Sequence, residues 1–323
     1  MKFSVIIATY NRADELPRTL ESLKGLDVNE PWEVIVVDNN SSDNTREVVE
    51  GAIQSFPAPL RYLMEREQGR SAALNTGIKA AQGEILAVTD DDVRVEPDWL
   101  RNAERALRDL NCDYLGGKAL PIWGGAVPNW MPNRGGKHWG VIALLDYGPK
   151  PVEFDATRVA LGVNMVFRRD AFERAGLWDN SIGRKAGTLL GQEVREWAQR
   201  ARAAGLRGFY SPDLVVHHVI PEDRLTKRYF RRWFYWHGIS RAILYQNNRL
   251  DMESPESTAL DFSTVPHIAG VPRYLYRTCL TKFVSMWSAL ARRDSIARFE
   301  DELWIWFFAG IVSQRWKDRQ KVS

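Results

Sequence analysis

Three consecutive carboxylates, Asp90-Asp91-Asp92, follow the apolar run Glu84–Thr89. Adjacent carboxylates repel one another, and where water is restricted a cation relieves them. Hard oxygen ligands favour Mg2+ or Mn2+, which in turn grip phosphate oxygens. The same three residues could instead make a solvated acidic turn ahead of a helix. Asp38 closes a second apolar run and precedes Asn39-Asn40-Ser41-Ser42. A carboxylate there can accept hydrogen bonds from a base or ribose, or simply cap the next helix. A third run ends Thr9-Tyr10-Asn11-Arg12, offering backbone groups, an aromatic face and a cation.

These residues have a common place only if the runs are neighbouring strands. Phe3–Thr9, Glu33–Asp38 and Glu84–Thr89 are apolar on both faces, the pattern of buried parallel strands. Helical stretches separate them at about Asp14–Leu23, Asn44–Ser55, Arg70–Ala81 and Pro97–Leu110. Ser42 and Asp43 are placed to cap the second, and Pro97 suits the first turn of the fourth. Such alternation predicts a doubly wound α/β sheet, mixed but mainly parallel, with helices on both faces. In open sheets of this kind ligands bind at the carboxyl ends of the strands, where all three motifs lie.

The pattern dissolves over about 116–157, a Gly- and Pro-rich stretch holding Trp123, Trp130 and Trp139. It reads as a functional loop, its tryptophans either stacking on a ligand or anchoring the loop in the core. Order returns with a strand at Arg158–Phe167 and a helix from about Gln192 to Ala204, closed by Gly205 at the C′ position. A strand follows at Phe209–Val219.

The segments FSVIIATYNRADELPRTLESL, VIVVDNNSSDNT, GRSAALNTGIKAAQGEILAVTDDDV, GVNMVFRRDAFERAG and GQEVREWAQRARAAG occur in an order and spacing that resemble the family 2 glycosyltransferases, across about the first 220 residues. The resemblance implies a GT-A fold and a nucleotide-sugar donor. It implies that Thr9, Tyr10, Asp38 and Arg70 hold the nucleotide base, with Asn11, Arg12, Asp90 and Asp91 in the same donor site. Asp92 is the implied metal ligand, carrying Mn2+ or Mg2+ against the diphosphate. His218, or its neighbour His217, completes the metal shell. Only one of the two can face it, because consecutive strand residues point to opposite sides.

An acceptor hydroxyl is a poor nucleophile, so a carboxylate should take its proton. The family supplies one from an acidic pair at a helix start. Here that segment reads Gly191-Gln192-Glu193, a departure that leaves Glu193 as the general base, with Glu196 as fallback. Both acids would also be at home simply by opening a helix. Asn164 is implied in the sugar and acceptor pocket; a strand-edge amide is the alternative. The implied reaction is one in-line displacement, with inversion at the anomeric carbon. A catalytically silent nucleotide-sugar-binding scaffold and a nucleotidyltransferase are the competing functions.

Net charge is +3 overall but unevenly spread: residues 224–323 carry 17 basic and 9 acidic residues, whereas 1–223 carry 27 and 32. The boundary at 223/224 is therefore expected to separate the catalytic domain from a mostly helical, basic and aromatic module. Within it, Leu225–Gln246 interleaves Lys227, Arg228, Arg231 and Arg232 with Tyr229, Phe230, Trp233 and Phe234. That mixture suits the anionic surface of a membrane; no nucleic-acid motif accompanies it. The longest apolar run, Leu303–Val312, is too short to span a bilayer, and Phe3–Ala8 is too short for a signal peptide. Two distant cysteines fit a reducing compartment. The expectation is a cytoplasmic enzyme, peripheral on the inner face of the membrane, acting on a saccharide or lipid-linked acceptor.

Overall fold

The computed structural model describes residues 1–131, 138–246 and 265–320. Parts of the expected irregular segment (132–137) and of the C-terminal module (247–264 and 321–323) lie outside the described residues. The chain divides into two compact units. The first comprises 1–124, 134–186 and 193–221; the second comprises 125–133, 187–192 and 222–323.

The first unit begins with the expected alternation: β1 (Phe3–Thr9), α1 (Leu16–Lys24), β2 (Trp32–Asp38), α2 (Thr45–Ala52), β3 (Leu60–Met64), α3 (Arg70–Ala80), β4 (Ile85–Asp90), β5 (Val93–Val95) and α4 (Trp99–Asp109). Every residue of β2 is buried, as are all but one of β1, because helices cover the sheet on both faces. Pro97 lies two residues ahead of α4 rather than inside its first turn. Asp43, not Ser42, tethers the start of α2, accepting from the Thr45 amide at 3.1 Å.

The chain continues through β6 (Tyr114–Trp123), β7 (Val152–Glu153), β8 (Asn164–Arg168), α5 (Asp170–Ala175), α6 (Glu193–Ala203) and β9 (Gly208–Ile220). Two expectations are corrected here. The irregular segment does not start at 116, since β6 runs to Trp123. Its Gly116-Gly117 pair is a demand of packing: a Cβ on Gly117 would sit 2.1 Å from the Leu214 carbonyl oxygen. The strand expected from Arg158 starts only at Asn164, because Asp155 folds the preceding residues into a turn by accepting from the amides of Thr157 and Arg158. Gly205 does close α6, with φ +74° and the Leu206 amide reaching back to the Ala201 carbonyl.

The strands run in the order β3-β2-β1-β4-β8-β6-β9-β5, with β7 on β9. The β1–β2, β2–β3, β1–β4 and β6–β9 pairs are parallel, whereas β8 is antiparallel to both β4 and β6. The position of β5 decides the geometry of the site. Only Asp91 and Asp92 separate it from β4, yet it pairs at the far edge of the sheet, on β9. So short a link forces the sheet to curl into a half-barrel, bringing the end of β9 over the end of β4.

The second unit holds α7 (Lys227–Gln246), the small pair β10 (His267–Ile268) and β11 (Val271–Pro272), then α8 (Arg273–Ala291) and α9 (Ser295–Gln320). None of the interleaved aromatics of α7 is exposed. Phe230 meets Trp130 edge-to-face, and Phe234 packs on the buried cluster that includes Ala242, Leu275, Phe307 and Ile311. Arg231 is spent on Glu302, and Lys227 on the ring of Phe299. In this segment Phe230 is buried and Tyr229, Trp233 and Phe234 are half-buried within the helical unit, while Arg228 and Arg232 stay exposed. Among the described residues no helix is long and apolar enough to cross a membrane.

Candidate active site

Strand register assembles the site. Thr9 lies opposite Asp38 across β1 and β2, and Ala8 opposite Asp90 across β1 and β4. Three parallel strands thus deliver their last polar residues to one end of the sheet. Asp38 is buried and held in place: its carboxylate accepts from the Ser41 amide and from the Tyr62 hydroxyl, each at 2.8 Å. Tyr10, by contrast, is 38% exposed, an uncovered ring at the strand end. Asn11 takes a left-handed backbone (φ +51°), and its side-chain oxygen accepts from the Ser42 amide. That bond ties the loop after β1 to the loop after β2.

The carboxylates are linked through two arginines. Arg70, at the first turn of α3, donates to Asp90 at 2.5 and 3.1 Å and to the Gly162 carbonyl at 2.9 Å. Its other terminal nitrogen lies 3.6 Å from Glu193. Arg12 reaches Asp92 at 3.3 Å and Asp91 at 3.8 Å. Burial works against both guanidinium charges, yet the surrounding carboxylates outweigh it and hold both arginines above their ordinary pKa. Asp91 is the strained member. Burial first, and then Asp92, push its carboxyl up to about 7, against the pull of Arg12 and Thr9.

The curl of the sheet settles the geometry of the two histidines. His218 stands opposite Val93 in the β5–β9 register, and the Val219 amide donates to the Asp92 carbonyl. His218 is 1% exposed, and its Nε2 lies 3.2 Å from Asp92 Oδ1. His217 points the other way and meets Glu96 at 2.7 Å. Asp92 and His218 are thus one oxygen and one nitrogen donor side by side; the carboxylate suits Mn2+ or Mg2+, and the imidazole adds a softer nitrogen ligand. Among the described residues no group of three or more His, Cys, Asp or Glu side chains is arranged to hold a metal. If a divalent ion binds here, Asp92 and His218 would supply two of its ligands.

The two candidate bases differ sharply in their surroundings. Glu193 opens α6 directly after Gln192, whose φ of +83° turns the chain into the helix. Glu196 is buried and clamped by Arg200 at 2.8 and 2.9 Å. It is committed to structure, whereas Glu193 faces the charged cluster. Asn164 is likewise committed. Its oxygen accepts from the Trp99 indole, and its nitrogen donates to the Lys118 and Leu214 carbonyls, all at 2.9 Å. At 1% exposure that amide ties β8 to β6, β9 and α4.

A family model for glycosyl transferase family 2 matches residues 4–176. The chain belongs to that family. It is 30% identical over 233 residues to the succinoglycan biosynthesis protein ExoM of Rhizobium meliloti, covering 70% of this chain and 71% of the relative. It is 26% identical over 249 residues to a glucosyl-dolichyl phosphate glucuronosyltransferase of Haloferax volcanii, covering 76% and 77%. In solved structures the fold resembles the mannosyltransferase PcManGT from Pyrobaculum calidifontis, solved with GDP-Man and Mn2+. The TM-score is 0.65 at 19% identity, over 98% of this chain and 87% of that one. The fold of this glycosyltransferase is GT-A, with a helical C-terminal segment.

Asn39 belongs to the glycosyltransferase's site scaffold and was not singled out from sequence. It is buried; its amide donates to the Glu65 and Glu67 carbonyls and accepts from Gln68 and the Gly69 amide. It thereby fixes the loop that leads into Arg70. Tyr62, on Asp38, was missed with it, because the short run Leu60–Met64 was not read as a strand. An Asn immediately after a strand-end Asp is the sequence signal that was available.

Proposed function

We propose that this family 2 glycosyltransferase moves a sugar from a UDP-sugar to an acceptor hydroxyl in one in-line displacement that inverts the anomeric carbon. The observation that carries the reading is the gathering of Asp90 and Glu193 about Arg70 and of Asp91 and Asp92 about Arg12, with His218 directly against Asp92. Thr9, Tyr10, Asn11, Asp38 and Arg70 form the nucleotide side. The exposed ring of Tyr10 stacks on the base, and the fixed carboxylate of Asp38 accepts its imino hydrogen. Asp92 and His218 would hold Mn2+ or Mg2+, which when bound supplies Lewis-acid stabilisation of the departing diphosphate. Arg12 and Arg70 are positioned to share that negative charge. Glu193 takes the acceptor proton from the opposite side.

The acceptor class is a saccharide or a lipid-linked saccharide, met at the anionic cytoplasmic face of a membrane. The similarity to a dolichyl-phosphate enzyme and to a polysaccharide biosynthesis protein supports that class. A GDP-sugar is the second donor reading, favoured by the GDP-Man bound in the structural neighbour. A thermal-shift screen of nucleoside diphosphates and sugar nucleotides, with and without Mn2+, tests the donor. A matching nucleotide raises the melting temperature. If no sugar nucleotide shifts it under either condition, the donor site proposed here is wrong.

A further inference from the structure

Five of the exposed large apolar side chains of the helical unit lie together on α8; Ile268 and, on α9, Ile296, Trp306, Val312 and Trp316 are exposed as well. Leu280, Phe283, Val284, Trp287 and Leu290 are 65, 47, 59, 57 and 44% exposed. Their spacing of three and four residues aligns them along one stripe of the helix. The opposite side of α8 is occupied: Leu275 and Ala289 are buried, and Lys282 pairs with Asp301 of α9 at 2.9 Å. Isolated exposed apolar residues are ordinary on a soluble surface; a five-residue stripe on one helix is not.

Charge indicates what covers it. No acidic residue occurs anywhere in Arg273–Ala291. Arg273 and Arg277 are exposed at its start, and Arg292 and Arg293 just beyond its end. An apolar stripe without carboxylates and with arginines at both ends matches the layering of an anionic bilayer surface. The aliphatic and Phe side chains enter the acyl boundary, Trp287 sits at the headgroup level, and the guanidinium groups meet lipid phosphates. A face built for a second copy of this chain gains nothing from like charge at both ends.

We infer that α8 lies in the plane of an anionic membrane and is the element by which this enzyme holds to its surface. This deepens the membrane setting proposed above and rests on it, but its test involves no sugar transfer, so either can fail alone. The full chain is mixed with vesicles of phosphatidylcholine alone, or of phosphatidylcholine with phosphatidylglycerol, and sedimented. Expected is sedimentation with the anionic vesicles that weakens with salt and is slight with the neutral ones. The double variant Leu280→Glu/Trp287→Glu, which places charge on exposed positions and leaves the core alone, should bind at least about tenfold less. An unchanged melting temperature and retained nucleotide binding in that variant show that it is folded. A wild-type chain that stays in solution with anionic vesicles overturns the inference. So does a folded double variant that sediments as before, or a wild-type dimer that the double variant abolishes.

Discussion

His218 Nε2 and Asp92 Oδ1 face each other at 3.2 Å, although 126 positions separate the two residues in the chain. The curl imposed by the two-residue link between β4 and β5 produces that contact. If this pair carries the divalent ion, Asp92→Asn and His218→Ala should each weaken Mn2+ binding by about 10- to 100-fold. Titration of Mn2+ in the presence of a nucleoside diphosphate measures this directly. His217→Ala, on the other side of the same strand, should leave it unchanged. Equal losses for the two histidines would mean that the effect comes through β9 rather than through a ligand.

Arg12 lies against the carboxylates that are proposed to receive the metal, so it acts as an internal counter-ion. Replacing it by Gln removes a charge that favours diphosphate and opposes a cation. Arg12→Gln should therefore raise the affinity for Mn2+ alone and lower that for nucleoside diphosphate, each by about tenfold for a charge at this range. Calorimetry on the two ligands separately reads both signs. A loss of both affinities would instead indicate a collapsed loop.

Glu193→Gln should cut turnover by about 10^2- to 10^4-fold, the usual contribution of a general base, with nucleotide binding retained. Glu196→Gln behaves differently, because Arg200 already claims that carboxylate. Its expected effect is a lower melting temperature with turnover per folded molecule near wild type. If Glu196→Gln abolishes turnover and Glu193→Gln does not, the base has been assigned to the wrong acid.

Strands β1, β2 and β4 were legible because burial on both faces leaves an unmistakable run of apolar, mostly β-branched residues, and the helices between them were legible with them. The convergence of Thr9, Asp38 and Asp90 followed from that, since parallel strands must end together. What was illegible depends on long-range packing. Gly116-Gly117 and Pro121 read as loop, yet β6 passes through all three, and neighbouring atoms leave no room for a side chain at either glycine. The role of the α7 aromatics was open, because interleaved arginines look the same in sequence whether they meet lipid or Glu302. The direction of His218 was open for a related reason: strand alternation separates the two histidines without saying which one faces Asp92.

Asn164 separates a pocket residue from a structural one. All three of its hydrogen bonds are made to protein groups, to the Trp99 indole and the Lys118 and Leu214 carbonyls. Asn164→Leu would strand the Trp99 indole and add bulk beside Gly117, whose Cβ position lies 2.2 Å from the Asn164 amide nitrogen. A destabilisation of about 1–3 kcal/mol for each group left unpaired is expected in denaturant titration. The acceptor KM of whatever remains folded should stay near wild type. A raised KM without loss of stability would restore the acceptor-pocket role.

Two glycines set the closeness of α7 and α9. A Cβ on Gly238 would lie 2.0 Å from the Phe307 carbonyl oxygen, and one on Gly310 would lie 2.0 Å from that of Tyr235. In each case the obstacle is backbone of the facing helix, so no side-chain rotation relieves it. Alanine is the better helix former by about 1 kcal/mol, but forcing the helices apart should cost about 1–3 kcal/mol and disturb the Phe234 and Phe307 packing as well. Gly238→Ala and Gly310→Ala should therefore both lower stability in chemical denaturation. Gly51→Ala supplies the contrast: it too sits in a helix, with nothing within 4 Å of the added Cβ. There propensity acts alone, and a gain of about 0.5–1 kcal/mol is expected. If all three substitutions stabilise alike, the helices can separate freely and the close crossing contributes nothing to the unit.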